Sequence, residues 1–248
     1  MKLFYPSIFD KDSQITALFS ESNKEIINTG GYVPGLNLGY NTEAEPAEVD
    51  KNFKLLFNKI GWNRTHLAIA NQIHGSNIIQ VTEPGVYDDT DGFITDKTGL
   101  SLGIRVADCV AILAGDSVNG IIGAFHAGWK GAADNIVPKG IRKMTQLGAD
   151  PDHIRVYLSP CISFKNFEVG EEVASQFPDQ FVDRESYKKP HVDLKGFIHR
   201  QLLNSGVNKE NIELSEDCTV QDSKYYSYRR ERDRAGRMLG LIKLNEQN

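Results

Sequence analysis

The chain has 248 residues, 40% hydrophobic and 25% charged, which is the usage of an ordinary globular protein and excludes disordered and fibrous classes. A chain of this size hides roughly three quarters of the surface it exposes unfolded, enough to build one large domain over residues 1–248. The net charge of -5 excludes a general nucleic-acid binder, which needs a basic footprint, and the cysteines Cys109, Cys161 and Cys218 hold no CxxC pair, which argues against a disulfide framework.

The opening MKLFYPSIF is apolar only briefly before Asp10, Lys11 and Asp12, so neither a signal peptide nor a membrane span is expected, and the cytoplasm is the expected location. Residues 2–9 and 13–20 read as short strands. Residues 28–42 hold Gly30, Gly31, Gly35 and Gly39 with Pro34, a bent loop that is neither a Walker A loop nor GxGxxG. The spacing of Val49, Phe53, Leu56 and Phe57 predicts a helix from Pro46, with Gly61 as its stop. Residues 67–81 read as a strand with a bend at IHGSN.

LSLGIRVADCVAILA (100–114) and NGIIGAFHAGW (119–129) both read as strands, joined by a hairpin loop at 116–119. Gly115 then faces Gly120, which puts Cys109 opposite His126. Facing residues of an antiparallel pair have Cβ atoms about 4.5–5.5 Å apart, close enough for a sulfur and an imidazole to share one metal ion. A helix follows His126, with Ile136, Ile141, Met144 and Leu147 on its buried face and Pro138 near its start or at a kink. Strands over 154–162 and 212–219 and helices over 170–177 and 193–205 complete an irregular alternation. That pattern favours an α+β or layered α/β architecture over a strict βαβ repeat.

His74, Cys109 and His126 are the central candidates for chemistry, because two imidazoles and a thiolate leave a zinc ion one open position. Separations of 35 and 17 residues match no short zinc-finger pattern, so the cross-strand pairing carries the argument. Without a metal, Cys109 as nucleophile with His126 as base suits amide or deamidation chemistry. A closed structural zinc site would need a fourth ligand, with Cys161 or Cys218 available. Six singly scattered histidines make a multi-copper centre a poor fit. Asp108 would point to the opposite face of a regular strand from Cys109, as a catalytic group, a cap or a plain strand-end carboxylate. The run 224–237 carries six basic residues and three tyrosines against two acids, for which internal salt bridges or a small anionic ligand are the expected uses.

The strings LNLG (36–39), NQIHG (71–75), VADC (106–109), HAGWKG (126–131), SPCI (159–162), FEVG (167–170), CT (218–219) and YSYRR (226–230) resemble, in order over nearly the whole chain, the YfiH-type or laccase-domain family. The resemblance implies a four-layer α/β/β/α sandwich similar to the catalytic domain of the cytotoxic necrotizing factor toxins. It implies phosphorolysis of adenosine, inosine, guanosine and methylthioadenosine, and deamination of adenosine, with zinc on His74, Cys109 and His126. Peptidoglycan precursor editing is linked to related bacterial proteins. The expected partners are purine nucleosides and phosphate, without nucleic acid or membrane, in a monomer or small homo-oligomer. Cys109, His126 and Asp108 are the catalytic candidates, and Asn37, Gln72, Arg229 and Arg230 the candidate contacts for substrate or phosphate. The chain departs from the commoner pattern at Val106, Lys130, Ser159 and Phe167, and reads NTEAEP at 41–46 where the family usually carries GDD.

Overall fold

Pro46 at the first helical position and Gly61 beyond the last turn bound the longest helix as the sequence predicts. The structure, a computed structural model, describes residues 1–10, 12–26 and 33–246, so Gly30 and Gly31 of the glycine-rich loop lie outside the described residues. In chain order the strands and α-helices are β1 (Leu3–Phe4), β2 (Ile15–Ser20), α1 (Pro46–Ile60), β3 (Leu67–Ala70), β4 (Ile78–Gln80), β5 (Gly85–Tyr87), β6 (Gly92–Thr95), β7 (Ser101–Val106), β8 (Val110–Asp116) and β9 (Ile121–Ala127). There follow α2 (Trp129–Ala133), α3 (Ile136–Leu147), β10 (Arg155–Leu158), α4 (Glu171–Ala174), β11 (Val182–Asp183), β12 (His191–Val192), α5 (Leu194–Asn204), β13 (Ile212–Leu214), α6 (Tyr228–Glu231) and β14 (Met238–Leu244). Gly61 stops α1 with φ of 70°, its N–H donating to the Phe57 carbonyl, a conformation glycine adopts at little cost.

Two six-stranded mixed sheets carry the fold, in the orders β1-β2-β14-β7-β3-β5 and β13-β10-β8-β9-β6-β4, with β11 and β12 as a separate pair. Alternation along β8 shows how they stack. Ala111 and Leu113 join the core shared with Leu102, Leu239 and Leu241 of the first sheet. Val110, Ile112 and Ala114 point the other way, into the core built with Ile136, Ile141 and Met144 of α3 and Ile198 and Leu202 of α5. Val49, Phe53, Leu56 and Phe57 of α1 belong to the first sheet's core. Phe125 of β9 points toward α3, and a Cβ added at Gly92, Gly123 or Gly140 would come within 2.7–2.9 Å of its ring. Pro138 sits in the first turn of α3, where its missing N–H costs nothing. No helix among the described residues is long and apolar enough to cross a membrane.

Three expectations that bear on the site change. The single strand expected over 100–114 is two: β7 pairs with β14 and β3 in the first sheet, while β8 pairs with β9 and β10 in the second. The bend at Ala107, Asp108 and Cys109 carries the chain between sheets, with Asp108 at φ 81°. The strand expected over 67–81 divides likewise into β3 and β4, one in each sheet, with His74 at φ 62° between them. The β8–β9 hairpin turns through 117–120 rather than 116–119, so Asp116 faces Ile121 and Ala111 faces His126. Asp116 drives the shift, because its carboxylate accepts the N–H groups of Val118 and Asn119 and so closes the turn itself. Moving the loop by one residue changes His126's partner by two positions, which preserves the face and keeps Cys109 diagonal to His126.

Candidate metal centre and cavity

The two inter-sheet crossovers and the end of β9 meet at one place. Ligand atoms of His74, Cys109 and His126 all lie within 4.8 Å of one another, with His74 exposed, Cys109 half-buried and His126 buried. The imidazole rings of His74 and His126 stand nearly perpendicular, centroids 4.8 Å apart. Ligands bound to one tetrahedral ion at 2.0–2.3 Å sit roughly 3.5 Å from each other, so closure needs a movement of about 1 Å.

One buried carboxylate organises two of the three groups. Asp91, completely buried just before β6, places Oδ1 2.7 Å from His126 Nδ1. It also accepts the backbone N–H groups of Ile73, His74 and Gly75, at 3.2, 3.0 and 2.6 Å. Holding Nδ1 leaves Nε2 of His126 as the free ring nitrogen, and gripping the 73–75 backbone fixes the left-handed turn at His74. Burial works to raise the Asp91 pKa, but the hydrogen bond and charge of His126 and the N–H donors outweigh it and hold the carboxyl below its usual range. Sequence reading missed Asp91 because it lies in YDDTDG, a run that signals only a turn. Replacing it, Asp91→Asn, is expected to weaken metal affinity about 10- to 100-fold in a chelator competition with the fold intact by circular dichroism. Unchanged affinity would remove Asp91 from this role.

Close approach explains the glycines of HAGWKG. A Cβ on Gly128 would lie 3.0 Å from Cys109 Sγ and 3.4 Å from His74 Cδ2, and one on Gly131 would lie 2.6 Å from the Gly75 carbonyl oxygen. Burial opposes ionisation of Cys109, yet the charges and hydrogen bonds of His126 and His74 bring its pKa down to about 6. His126, although buried, is pushed up to about 9 by the Cys109 charge and the Asp91 hydrogen bond. In metal-free protein, iodoacetamide should therefore alkylate Cys109 with a rate that rises as pH passes upward through about 6. A midpoint near the ordinary thiol value of about 8.5 would contradict this arrangement.

A cavity of about 650 Å³ opens over the trio. Trp129, Ile162, Phe167, Val169 and Leu194 give it an apolar wall, while Arg105, Arg229 and Arg237 bring positive charge. Gln72 lines it, with its amide exchanging two hydrogen bonds with the backbone of Arg105. Asp108 lines it too, but Oδ1 accepts from Thr219 Oγ1 and Oδ2 from the Arg229 N–H, each at 2.6 Å, so the carboxylate ties 219 and the start of α6 to the crossover. Arg229 reaches the carbonyls of Asn166 and Glu168 and lies over the Phe167 ring.

Two candidates are not brought to the cavity. Arg230 spends its guanidinium on the carbonyls of Thr219, Val220 and Tyr225 and on Glu231, the internal pairing expected for this basic run. Asn37 is fully buried and bonds within its own loop and to the Arg237 N–H. Cys161 and Cys218 are free thiols whose backbones pair in an isolated β-bridge. The metal-competent group contains neither, so a closed four-ligand site finds no support among the described residues. Of the departures, Ser159 accepts the Ala111 N–H at the edge of β8, and Lys130 lies over Trp129.

A family model described as multi-copper polyphenol oxidoreductase laccase matches residues 20–245. The chain belongs to this laccase-like YfiH family. This YfiH-family chain is similar to the purine nucleoside phosphorylase of Deinococcus radiodurans, 34% identical over 223 residues that cover 88% of this chain and 85% of that protein. Its fold is similar to YlmD of Geobacillus stearothermophilus, with a TM-score of 0.88 and 27% identity, covering 97% of this chain and 94% of that one. YfiH of Bacillus licheniformis gives 0.87 and 25%, covering 97% and 99%. The copper of the family's description meets a limited donor set in this YfiH-family member, since only His74 and His126 of its six histidines join a metal-competent group among the described residues.

Proposed function

We propose that this protein is a zinc-dependent purine nucleoside phosphorylase that accepts adenosine, inosine, guanosine and methylthioadenosine and also deaminates adenosine. The observation that carries the reading is the His–Cys–His group in the lining of a cavity that also offers apolar side chains and three arginines, in a chain similar to a protein named purine nucleoside phosphorylase. The donor set fits zinc: two imidazoles, one held in a fixed tautomer by Asp91, and a thiol already disposed to ionise. Bound zinc supplies Lewis acidity, which steadies negative charge on oxygen and eases loss of a proton from water.

The chain's residues account for the rest. The apolar wall around Trp129 and Phe167 takes the face of the purine and excludes water. The arginines hold hydrogenphosphate against the ribose. Its oxygen forms the new bond to C1′ as the bond from C1′ to the purine breaks, the electron pair leaves with the base, and the proton carried by hydrogenphosphate ends on that base. In deamination water adds at C6 and ammonia departs. Asp108 is a positioning residue, because both its oxygens are engaged by Thr219 and Arg229. The protein is read as a soluble cytoplasmic enzyme, a monomer or small homo-oligomer.

The test is metal content with nucleoside turnover of purified protein, with and without phosphate. About one zinc per chain and free base released only with phosphate are expected; inosine formed from adenosine without phosphate marks the deaminase. A second reading rests on the thiolate-imidazolium tendency of Cys109 and His126: a cysteine hydrolase acting on amides, including peptidoglycan precursors. Metal-free protein that leaves every nucleoside intact would select it.

A further inference from the structure

Two of the three cavity arginines, Arg105 and Arg237 at the end of the basic run, sit on or next to neighbouring strands, which Arg229 does not. Arg105 lies on β7 and Arg237 immediately precedes β14, and the pairing of Met238 with Val106 brings the two to adjoining strand ends beside the crossover that carries Cys109. Both are half-buried and both line the cavity. Among the described residues no carboxylate lies within 4.0 Å of either guanidinium, a property shared by the third cavity arginine, Arg229, while Arg64, Arg155, Arg184 and Arg230 each have one.

Their protein contacts leave most of each donor fork open. The Arg105 side chain donates to the Ala70 carbonyl, and Arg237 Nη1 to the carbonyls of Ala235 and Gly236. Burial, and for Arg105 the charge of Arg237, press both below the ordinary guanidinium range. Two half-buried like charges side by side are costly unless an anion joins them. The charges of Cys109, Tyr228 and Asp108 reach Arg237, but none of these groups pairs with it.

Two motif residues seat the pair. The Gln72 amide of NQIHG accepts the Arg105 N–H at 2.9 Å and donates to its carbonyl at 2.8 Å. Asn37 of LNLG accepts the Arg237 N–H at 2.9 Å, and the Arg237 stem lies so tightly on Gly39 that a Cβ there would overlap its Cγ. Each amide thus fixes the backbone of one arginine and leaves the guanidinium directed to the cavity.

We propose that Arg105 and Arg237 form an oxyanion subsite that takes inorganic phosphate as the second substrate, with Gln72 and Asn37 as its positioning residues. The inference rests on the phosphorylase reading and deepens it. Planar guanidinium forks match the oxygens of a phosphate dianion two at a time, which a neutral nucleoside cannot offer. A phosphate ester on a nucleotide presents the same chemistry, so both sources belong in the test.

Titration calorimetry of the metal-loaded enzyme with inorganic phosphate, and separately with adenosine 5′-monophosphate, would compare wild type with Arg105→Met, Arg237→Met and Arg237→Lys. Each Met variant is expected to bind phosphate about 10- to 100-fold more weakly, with metal content and adenosine affinity unchanged. Arg237→Lys should fall between, and it keeps the test open if Arg237→Met fails to fold. Phosphate affinity indifferent to both arginines would overturn the subsite, as would loss of nucleotide binding alone. If phosphate binds through the pair but no nucleoside is phosphorolysed, the reaction is wrong and the subsite stands. If phosphorolysis proceeds unchanged without either arginine, the reaction stands and the subsite falls.

Discussion

On the proposed function, Cys109→Ala is expected to strip the metal from the protein, from about one ion per chain to a small fraction, and to lower the proposed nucleoside phosphorolysis at least 100-fold, about the upper end of what removing a mere ligand-supporting group costs. The loss is large because the remaining pair, His74 and His126, comes from one exposed turn and one buried strand, with nothing else of ligand type in the group. Cavity shape should survive, since a smaller side chain beside Gly128 creates no overlap. Metal analysis, circular dichroism and turnover on the same preparation separate loss of ion from loss of fold. A variant that keeps both metal and turnover would sink the assignment of Cys109 as ligand. Metal kept with turnover lost would instead favour a nucleophilic thiol.

Phe125→Ala is expected to lower the unfolding free energy by about 3–5 kcal/mol, measured by urea denaturation. The upper half of that range is the expectation here. Three of the walls around the ring are glycines, at 92, 123 and 140, so those sides present backbone, with no side chain to swing into the void. Because Phe125 adjoins His126 and faces α3, the same variant should bind metal less tightly. A change below about 1 kcal/mol would mean that sheet and helix close the gap together.

Local signals with a single physical meaning were readable from the residues. Pro46 and Gly61 mark the ends of α1, and Asp116 to Gly120 mark a hairpin whose loop slides by one residue without moving Cys109 and His126 to different faces. What sequence hid was where an apolar run changes sheets. Residues 100–114 stay apolar on both sides of Asp108 because β7 and β8 are both buried, so a single carboxylate, with no glycine or proline beside it, is all that marks the break. β14 went unread because its MLGLIKL is buried at every residue but Lys243 and shows no alternation. Within the site, the trio was legible, whereas Asp91 was masked by neighbouring acids. Arg105 was masked by its place inside a strand; of the expected contacts for substrate or phosphate, Gln72 lines the cavity with its amide on the Arg105 backbone, and Asn37 lies behind it, bonded to its own loop and to the Arg237 N–H.

The crossovers have a consequence for how the protein holds together. His74 and Cys109 each sit where the chain leaves the first sheet for the second, and His126 belongs to the second, so an ion held by all three acts as a rivet through the seam between the sheets. Free metal at a hundred times its dissociation constant adds about 2.7 kcal/mol to the stability of the native state, and chelation removes it. Melting temperature should then track metal activity. A substitution that loosens the stacking of β7 and β14 on β8 and β9, far from any ligand, will register first as a protein that gives up its ion more readily.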